Sequence, residues 1–199
     1  RVRDEEEGRR VRVLIAEDEA LIRMDLREML EEEGHEVVGE ARDGAEAVTL
    51  ARAVRPDVVF MDVKMPNVDG ITAARTISEE ALAPVVMVTA FSQAGLVEEA
   101  ARAGAMGYVV KPFSRNDIVP AMQVAVSRYT EMNVLAQQVA DLKERLETRK
   151  LLDRAKGLLM AGGVSEPEAF HRLQKLAMDK RKSLREVAEA VITAHQALE

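Results

Sequence analysis

Cysteine and tryptophan are absent from the 199-residue chain, and only four Phe and two Tyr are present. Without cysteine there is no disulfide framework and no thiolate metal site, which is compatible with a reducing cytosol. So small an aromatic share leaves the cores to be built from aliphatic side chains. No apolar run approaches the roughly 18 residues that a transmembrane helix needs, so no membrane span is expected. The N-terminus lacks the pattern of a signal peptide: Arg1 to Arg10 is a charged cluster with Asp4-Glu5-Glu6-Glu7 inside it. Residues 1–10 read as a disordered tail, and with Arg rather than Met at position 1 the sequence reads as trimmed at its start. The expected location is cytoplasmic.

The charge that is present is unevenly placed. Residues 1–148 hold 18 Lys/Arg against 28 Asp/Glu, a net of −10, whereas residues 149–199 hold 10 against 7, a net of +3. An acidic front and a basic rear fit two modules with different partners, and basic charge suits a polyanion. The same +3 also suits a plain solvated helical surface.

The first 120 or so residues alternate strand and helix signals. Apolar runs rich in β-formers occur at 11–16, 35–39, 57–62, 84–88 and 107–110, with amphipathic stretches at about 19–33, 45–54, 70–80, 94–103 and 115–127. Five βα units with nearly uniform apolar strands predict a parallel sheet covered by helices on both faces. In such a sheet ligands sit at the carboxyl ends of the strands. Glu17, Asp18, Asp62, Thr89 and Lys111 all fall at or just after those ends.

After Asp117 the strand signals stop. Met132, Leu135, Val139, Leu142 and Leu146 recur at steps of three and four, the spacing of a coiled-coil seam and of a possible homodimer contact. A single helix whose stripe packs on its own C-terminal module would show the same spacing. The last fifty residues predict three helices: 149–161 ending at Gly162-Gly163, a second opening at the capping box Ser165-Glu166-Pro167-Glu168, and a third from Ser183-Leu184-Arg185-Glu186 to about Leu198. Leu151, Ala155, Leu158, Leu159, Phe170, Leu173, Leu176, Leu184, Val187, Val191 and Ile192 are the predicted core, with Met160 and Met178 as fillers.

The strand-end residues form a chemically coherent set. An aspartate can act as nucleophile toward a phosphoryl group, and the charge that develops needs a nearby cation. Mg²⁺ binds through one or two protein carboxylates and several waters, which Glu17 and Asp18 would supply. Lys111 brings a point charge and Thr89 a hydroxyl donor. His35, His171 and His195 lack the spacing of a metal site.

These residues lie in Val13-Leu14-Ile15-Ala16-Glu17-Asp18-Glu19, Asp62-Val63-Lys64-Met65-Pro66-Asn67-Val68-Asp69-Gly70, Val88-Thr89-Ala90 and Tyr108-Val109-Val110-Lys111-Pro112-Phe113. Over about 11–128 the sequence resembles the receiver domains of two-component response regulators. The resemblance implies a five-stranded, parallel, doubly wound, flavodoxin-like fold. It further implies Asp62 as phosphoacceptor, assisted by Thr89 and Lys111, with a sensor histidine kinase as phosphodonor. Glu17, Asp18, Asp62 and the Lys64 backbone carbonyl would hold Mg²⁺, and Thr89 and Tyr108 would form a switch pair whose ring turns inward. The Lys111-Pro112 bond is expected to be cis. Glu17 stands where many receivers have Asp, which keeps the charge and adjusts the metal geometry.

Ala155-Lys156-Gly157-Leu158-Leu159-Met160, Glu168-Ala169-Phe170-His171-Arg172-Leu173, Ala177-Met178-Asp179 and Leu184-Arg185-Glu186-Val187-Ala188 resemble the ANTAR family of RNA-binding antitermination domains. This resemblance implies an all-α three-helix output domain over 149–199, joined through a helical linker at 129–148, that binds structured RNA hairpins. Lys156, Gly157, Arg181 and Arg185 are the candidate RNA contacts, Gly157 by allowing close backbone approach. With Phe170 assigned to the core, phosphate contacts would dominate. The whole reads as a phosphorylation-controlled transcription antiterminator without independent substrate turnover. A DNA-binding response regulator, or a module that only dimerises or docks a protein, are the alternatives.

Overall fold

The computed structural model describes residues 10–90 and 94–196, with the side chains of 94 and 96 excepted. The predicted tail, apart from Arg10, and the expected end of the last helix at Leu198 lie outside the described residues. The chain divides into two compact units after Asn133.

In the first unit five strands, β1 (Arg12–Ala16), β2 (Glu36–Ala41), β3 (Val58–Asp62), β4 (Val85–Thr89) and β5 (Gly107–Val110), form one sheet in the order β2-β1-β3-β4-β5. All four pairings are parallel. Between the strands run α1 (Ala20–Glu32), α2 (Gly44–Val54), α3 (Gly70–Glu79) and α4 (Ala94–Arg102), and α5 (Arg115–Ala161) follows the last. Period-two alternation splits the strands between two aliphatic layers. Leu14, Val59, Met61, Val85 and Met87 pack with Ala47, Ala51, Ala74 and Ile77 of α2 and α3. On the other face Val13, Ile15, Phe60, Val86 and Val88 pack with Leu26 and Leu30 of α1 and Ile118 and Met122 of α5. Both faces being covered explains why every residue of β3 and β4 is buried.

Chain order reverses between β1 and β3, so their carboxyl ends open a crevice, the usual ligand position in an open α/β sheet. Two helix caps hold the loops around it. Asp43 accepts from the Glu46 N–H at 2.8 Å to start α2, and Asp69 accepts from the Thr72 N–H at 2.8 Å to start α3.

Two details depart from expectation. The predicted helices at 115–127 and 149–161, with the linker between, are one 47-residue helix, because no glycine, proline or cap interrupts 121–156. Ser165 occupies the N-cap of α6 (Glu166–Lys180) without a side-chain cap bond, so that capping box does not form. At α7 (Leu184–Gln196) the box does form, with Ser183 N–H donating to Glu186 at 2.8 Å and Glu186 N–H donating to Ser183 Oγ at 3.2 Å.

In the second unit the core comprises Ala155, Leu173, Ala177, Val187, Ala188 and Ile192, with Leu151, Leu158, Leu159, Leu184 and Val191 packed partly against it. Phe170 and Leu176, predicted to be buried, are exposed, and Ala169 and Ala177 take their places. Small residues let α6 approach its neighbours closely, which turns the helix by about one position from the phase that the large side chains favour. Met160 and Met178 are also on the surface rather than filling the core. Met132, Leu135, Val139, Leu142 and Leu146 are each half or more exposed. Among the described residues no helix is long and apolar enough to cross a membrane.

Candidate functional site

Asp62 ends β3 at 7 % exposure, and Glu17, one residue past β1, is 1 % exposed. Asp18 is exposed at the rim. One carboxylate oxygen from each of these three lies within 4.8 Å of the others. Lys111 follows β5 and enters the same pocket, its Nζ 2.6 Å from Glu17 Oε2 and 3.2 Å from Asp62 Oδ2. The Lys111 N–H donates to the Thr89 carbonyl at 2.7 Å, which ties the lysine's strand to the end of β4. Thr89 is itself buried beside Val88, the residue in register with Asp62. The Lys111-Pro112 bond is cis.

Three acids gather beside one ammonium, which pairs with Glu17 and Asp62, so negative charge is in excess. Burial pushes the Asp62 carboxyl above its ordinary value, against the pull of Lys111 and of the Lys64 N–H that donates to it. Burial pushes the Glu17 carboxyl up as well, opposed by Lys111 and reinforced by Asp62. Lys111 is held above its ordinary value because the two carboxylates outweigh the burial that opposes its charge. Glu17 Oε2 is buried and close to the ammonium, yet has no partner in hydrogen-bond geometry. A divalent cation fits this place: three hard oxygen donors stand around a deficit of positive charge that the Lys111 ammonium does not fill.

Three supports have roles that the sequence does not assign. Arg23 of α1, buried, donates to the backbone carbonyls of Glu17 at 2.7 Å and Asp18 at 3.4 Å and pairs with Glu40 at 3.1 Å. It fixes the turn that presents both acids. The signal was an arginine on the apolar stripe of α1, in line with Leu26 and Leu30. Gly70 is the second: a Cβ there would lie 1.8 Å from the Asp62 carbonyl oxygen. The third is Asn67, in the loop after Asp62, whose amide donates to Asp43 Oδ2 at 2.9 Å, beside a Gly44 N–H bond to the Val68 carbonyl at 2.9 Å. The loop after Asp62 is therefore held from α2 as well as α3.

Of the remaining candidates, the Tyr108 ring lies outside the pocket at 53 % exposure. In the second unit Lys156 is engaged by Asp153 and Glu166, both at 2.9 Å, and Arg185 by Glu189 at 3.1 Å and Glu147 at 3.7 Å. Arg181 caps α6 in the left-handed region, with its side chain exposed. Gly157 sits on an open helix face with no atom within 4 Å of where a Cβ would be.

A flavodoxin-like sheet with these strand-end acids and lysine defines a response regulator receiver. The response regulator receiver domain family matches residues 13–123, and the ANTAR domain family matches 140–192. The chain belongs to the response regulators that carry an ANTAR domain. It is 60 % identical over 182 residues to the transcriptional regulatory protein PdtaR of Mycobacterium tuberculosis (strain H37Rv), spanning 91 % of this chain and 89 % of that protein. The chemotaxis protein CheY of Bacillus subtilis is 41 % identical over 112 residues, 56 % of this chain and 93 % of its own. The response regulator domain of Thermotoga maritima CheB superposes with a TM-score of 0.56 at 34 % identity, over 60 % of this chain and 98 % of that one.

Proposed function

We propose that the chain accepts a phosphoryl group on Asp62 from a sensor histidine kinase and, so modified, binds structured hairpin RNA as a transcription antiterminator. The observation that carries this reading is the meeting of a receiver-type acidic pocket and an ANTAR match on one chain. One helix serves both: α5 buries Ile118 and Met122 in the receiver core and Ala155 in the core of the second unit.

In the proposed transfer an Asp62 carboxylate oxygen attacks phosphorus, forming an acyl phosphate. The P–N bond to the donor imidazole breaks, and its electron pair returns to the nitrogen, which takes up a proton. Mg²⁺ held by Glu17, Asp18, Asp62 and the Lys64 carbonyl would offset the charge on the phosphoryl oxygens. Lys111 keeps its proton through the pH range of interest, since its pKa is raised, and adds a fixed positive charge. Arg23 and Gly70 hold the acids and the Asp62 backbone in place, so little reorganisation accompanies the step. The reacting carboxylate belongs to the chain itself, which fits self-modification rather than turnover of a free substrate.

A phosphoryl group adds up to two negative charges to a pocket already in deficit of cations. Thr89, Lys111 and the exposed Tyr108 are the proposed responders, and β5 leads into α5. The exposed seam from Met132 to Leu146 fits a homodimer contact along α5. Transfer of labelled phosphate tests the assignment: Asp62→Asn is expected to abolish labelling, and labelling at the wild-type level would refute it.

A further inference from the structure

Resting on the RNA-binding reading above, we propose that the groove between α5 and α6 bounded by Phe170 takes one unstacked base of an RNA loop. The groove has a volume of about 530 Å³, within the range of small-ligand sites. Its walls include Arg145, Thr148, Arg149 and Leu152 of α5, with Phe170 of α6 opposite. Phe170 is 38 % exposed and stands outside the core, which Ala169, Leu173 and Ala177 form instead. In a chain with so few aromatics, α6 thus buries two alanines and a leucine and leaves a phenyl ring at the edge of a groove. An exposed ring beside cations is the arrangement that stacks a base and tracks its backbone.

Charge decides which end of a nucleotide enters. Lys156 lies in the groove paired with Asp153 and Glu166, so it frames the wall and is a weaker phosphate partner than an arginine without a close carboxylate. Glu144 and Asp153 also line the groove. Their carboxylates repel a phosphate and accept from the exocyclic amino groups of adenine, cytosine or guanine. Arg145 has no carboxylate within ion-pairing distance among the described residues, and Arg149 only meets Asp153 at 4.0 Å. Spaced i, i+4 along α5, the two arginines stand on one helix face for the flanking phosphates. The base goes in and its backbone stays on the rim.

The test uses the full chain and hairpin RNAs with randomised loops, selected for binding to it at low salt. Phe170→Leu is expected to weaken the selected RNA roughly five- to one-hundred-fold, with Phe170→Trp within about threefold of wild type. Phe170→Leu is expected to leave the salt dependence unchanged, whereas Arg145→Gln lowers the log–log slope by about one. In wild type, 2-aminopurine at one loop position changes its fluorescence on binding, a readout that does not depend on any variant folding. Wild-type binding with Phe170→Leu unchanged, or no response at any loop position, overturns the groove and leaves RNA binding intact. A Phe170→Leu chain that self-associates differently but binds RNA normally would assign the groove to a second copy and overturn the proposal. If wild type selects no RNA, both readings fall.

Discussion

Replacing Lys111 by Met removes the ammonium that faces two buried carboxylates while keeping most of the apolar stem. Its Nζ is 2.6 Å from Glu17 Oε2 and 3.2 Å from Asp62 Oδ2, with the Lys111 side chain 12 % and the Glu17 side chain 2 % exposed. Breaking a buried ion pair by deleting one partner costs about 3–5 kcal/mol, because the remaining charge is left uncompensated. With a urea slope of about 2 kcal/mol/M, the low end corresponds to a fall of about 1.5 M in the midpoint. Both tyrosines, Tyr108 and Tyr129, precede Val134, so tyrosine fluorescence reports on the first unit alone.

The pH dependence separates this cause from lost packing. Glu17 and Asp62 already have pKa values above the ordinary 4.5 and 3.8, so the folded chain binds protons that the unfolded chain has released. Stability from that source is present at acid pH and is lost as pH rises through the raised values. Without Lys111 both values rise further, so the Lys111→Met deficit is largest at neutral pH and shrinks as pH falls toward the ordinary carboxylate values. In chelator the deficit is expected to be full, and added Mg²⁺ to restore part of it. A second Asp62→Asn substitution is expected to reduce the cost of losing Lys111 by at least about 1 kcal/mol. A Lys111→Met chain within about 0.5 kcal/mol of wild type at neutral pH in chelator, or a deficit that does not change with pH, would refute the electrostatic account.

Gly70→Ala would place a Cβ 1.8 Å from the Asp62 carbonyl oxygen, so α3 and the end of β3 must separate. The expected result is a loss of about 1–3 kcal/mol in urea unfolding together with slowed labelling of Asp62. Gly157→Ala meets nothing within 4 Å and replaces a mid-helix glycine, so stability is expected to rise by about 0.5–1 kcal/mol. If close backbone approach matters for RNA, the same variant loses affinity, and unchanged binding in a gel-shift assay would dismiss Gly157 as a contact. Leu142→Asp places a charge in the exposed seam and is expected to reduce self-association in sedimentation.

How far the sequence reaches depends on whether a signal is local. The strands, their order of polar ends and the pocket's Glu17, Asp18, Asp62 and Lys111 were readable because each is a property of a strand and the residue after it. Arg23 and Asn67 were not, since their partners lie on other elements: Arg23 reaches Glu40 on β2, and Asn67 reaches Asp43 at the start of α2. The sequence divides 115–161 into an amphipathic stretch, a seam and a first output helix, but a change of pattern does not end a helix; only a breaker or cap does. The phase of α6 failed for a different reason. Phe170, Leu173 and Leu176 make the larger apolar face, whereas Ala169, Leu173 and Ala177 make the closer-packing one, and the second is buried. That one-position turn places a ring at the groove rather than in the core, and it adds the proposed stacked base to an RNA reading dominated by phosphate contacts.

In the proposed function the phosphoryl group on Asp62 controls RNA binding by the second unit. Affinity of the full chain for a selected hairpin, measured across a salt series with and without phosphorylation, is the deciding measurement. Tighter binding after phosphorylation, absent in Asp62→Asn, is the predicted result. Equal affinity in both states, or an Asp62→Asn chain that still responds to the phosphodonor, would contradict it.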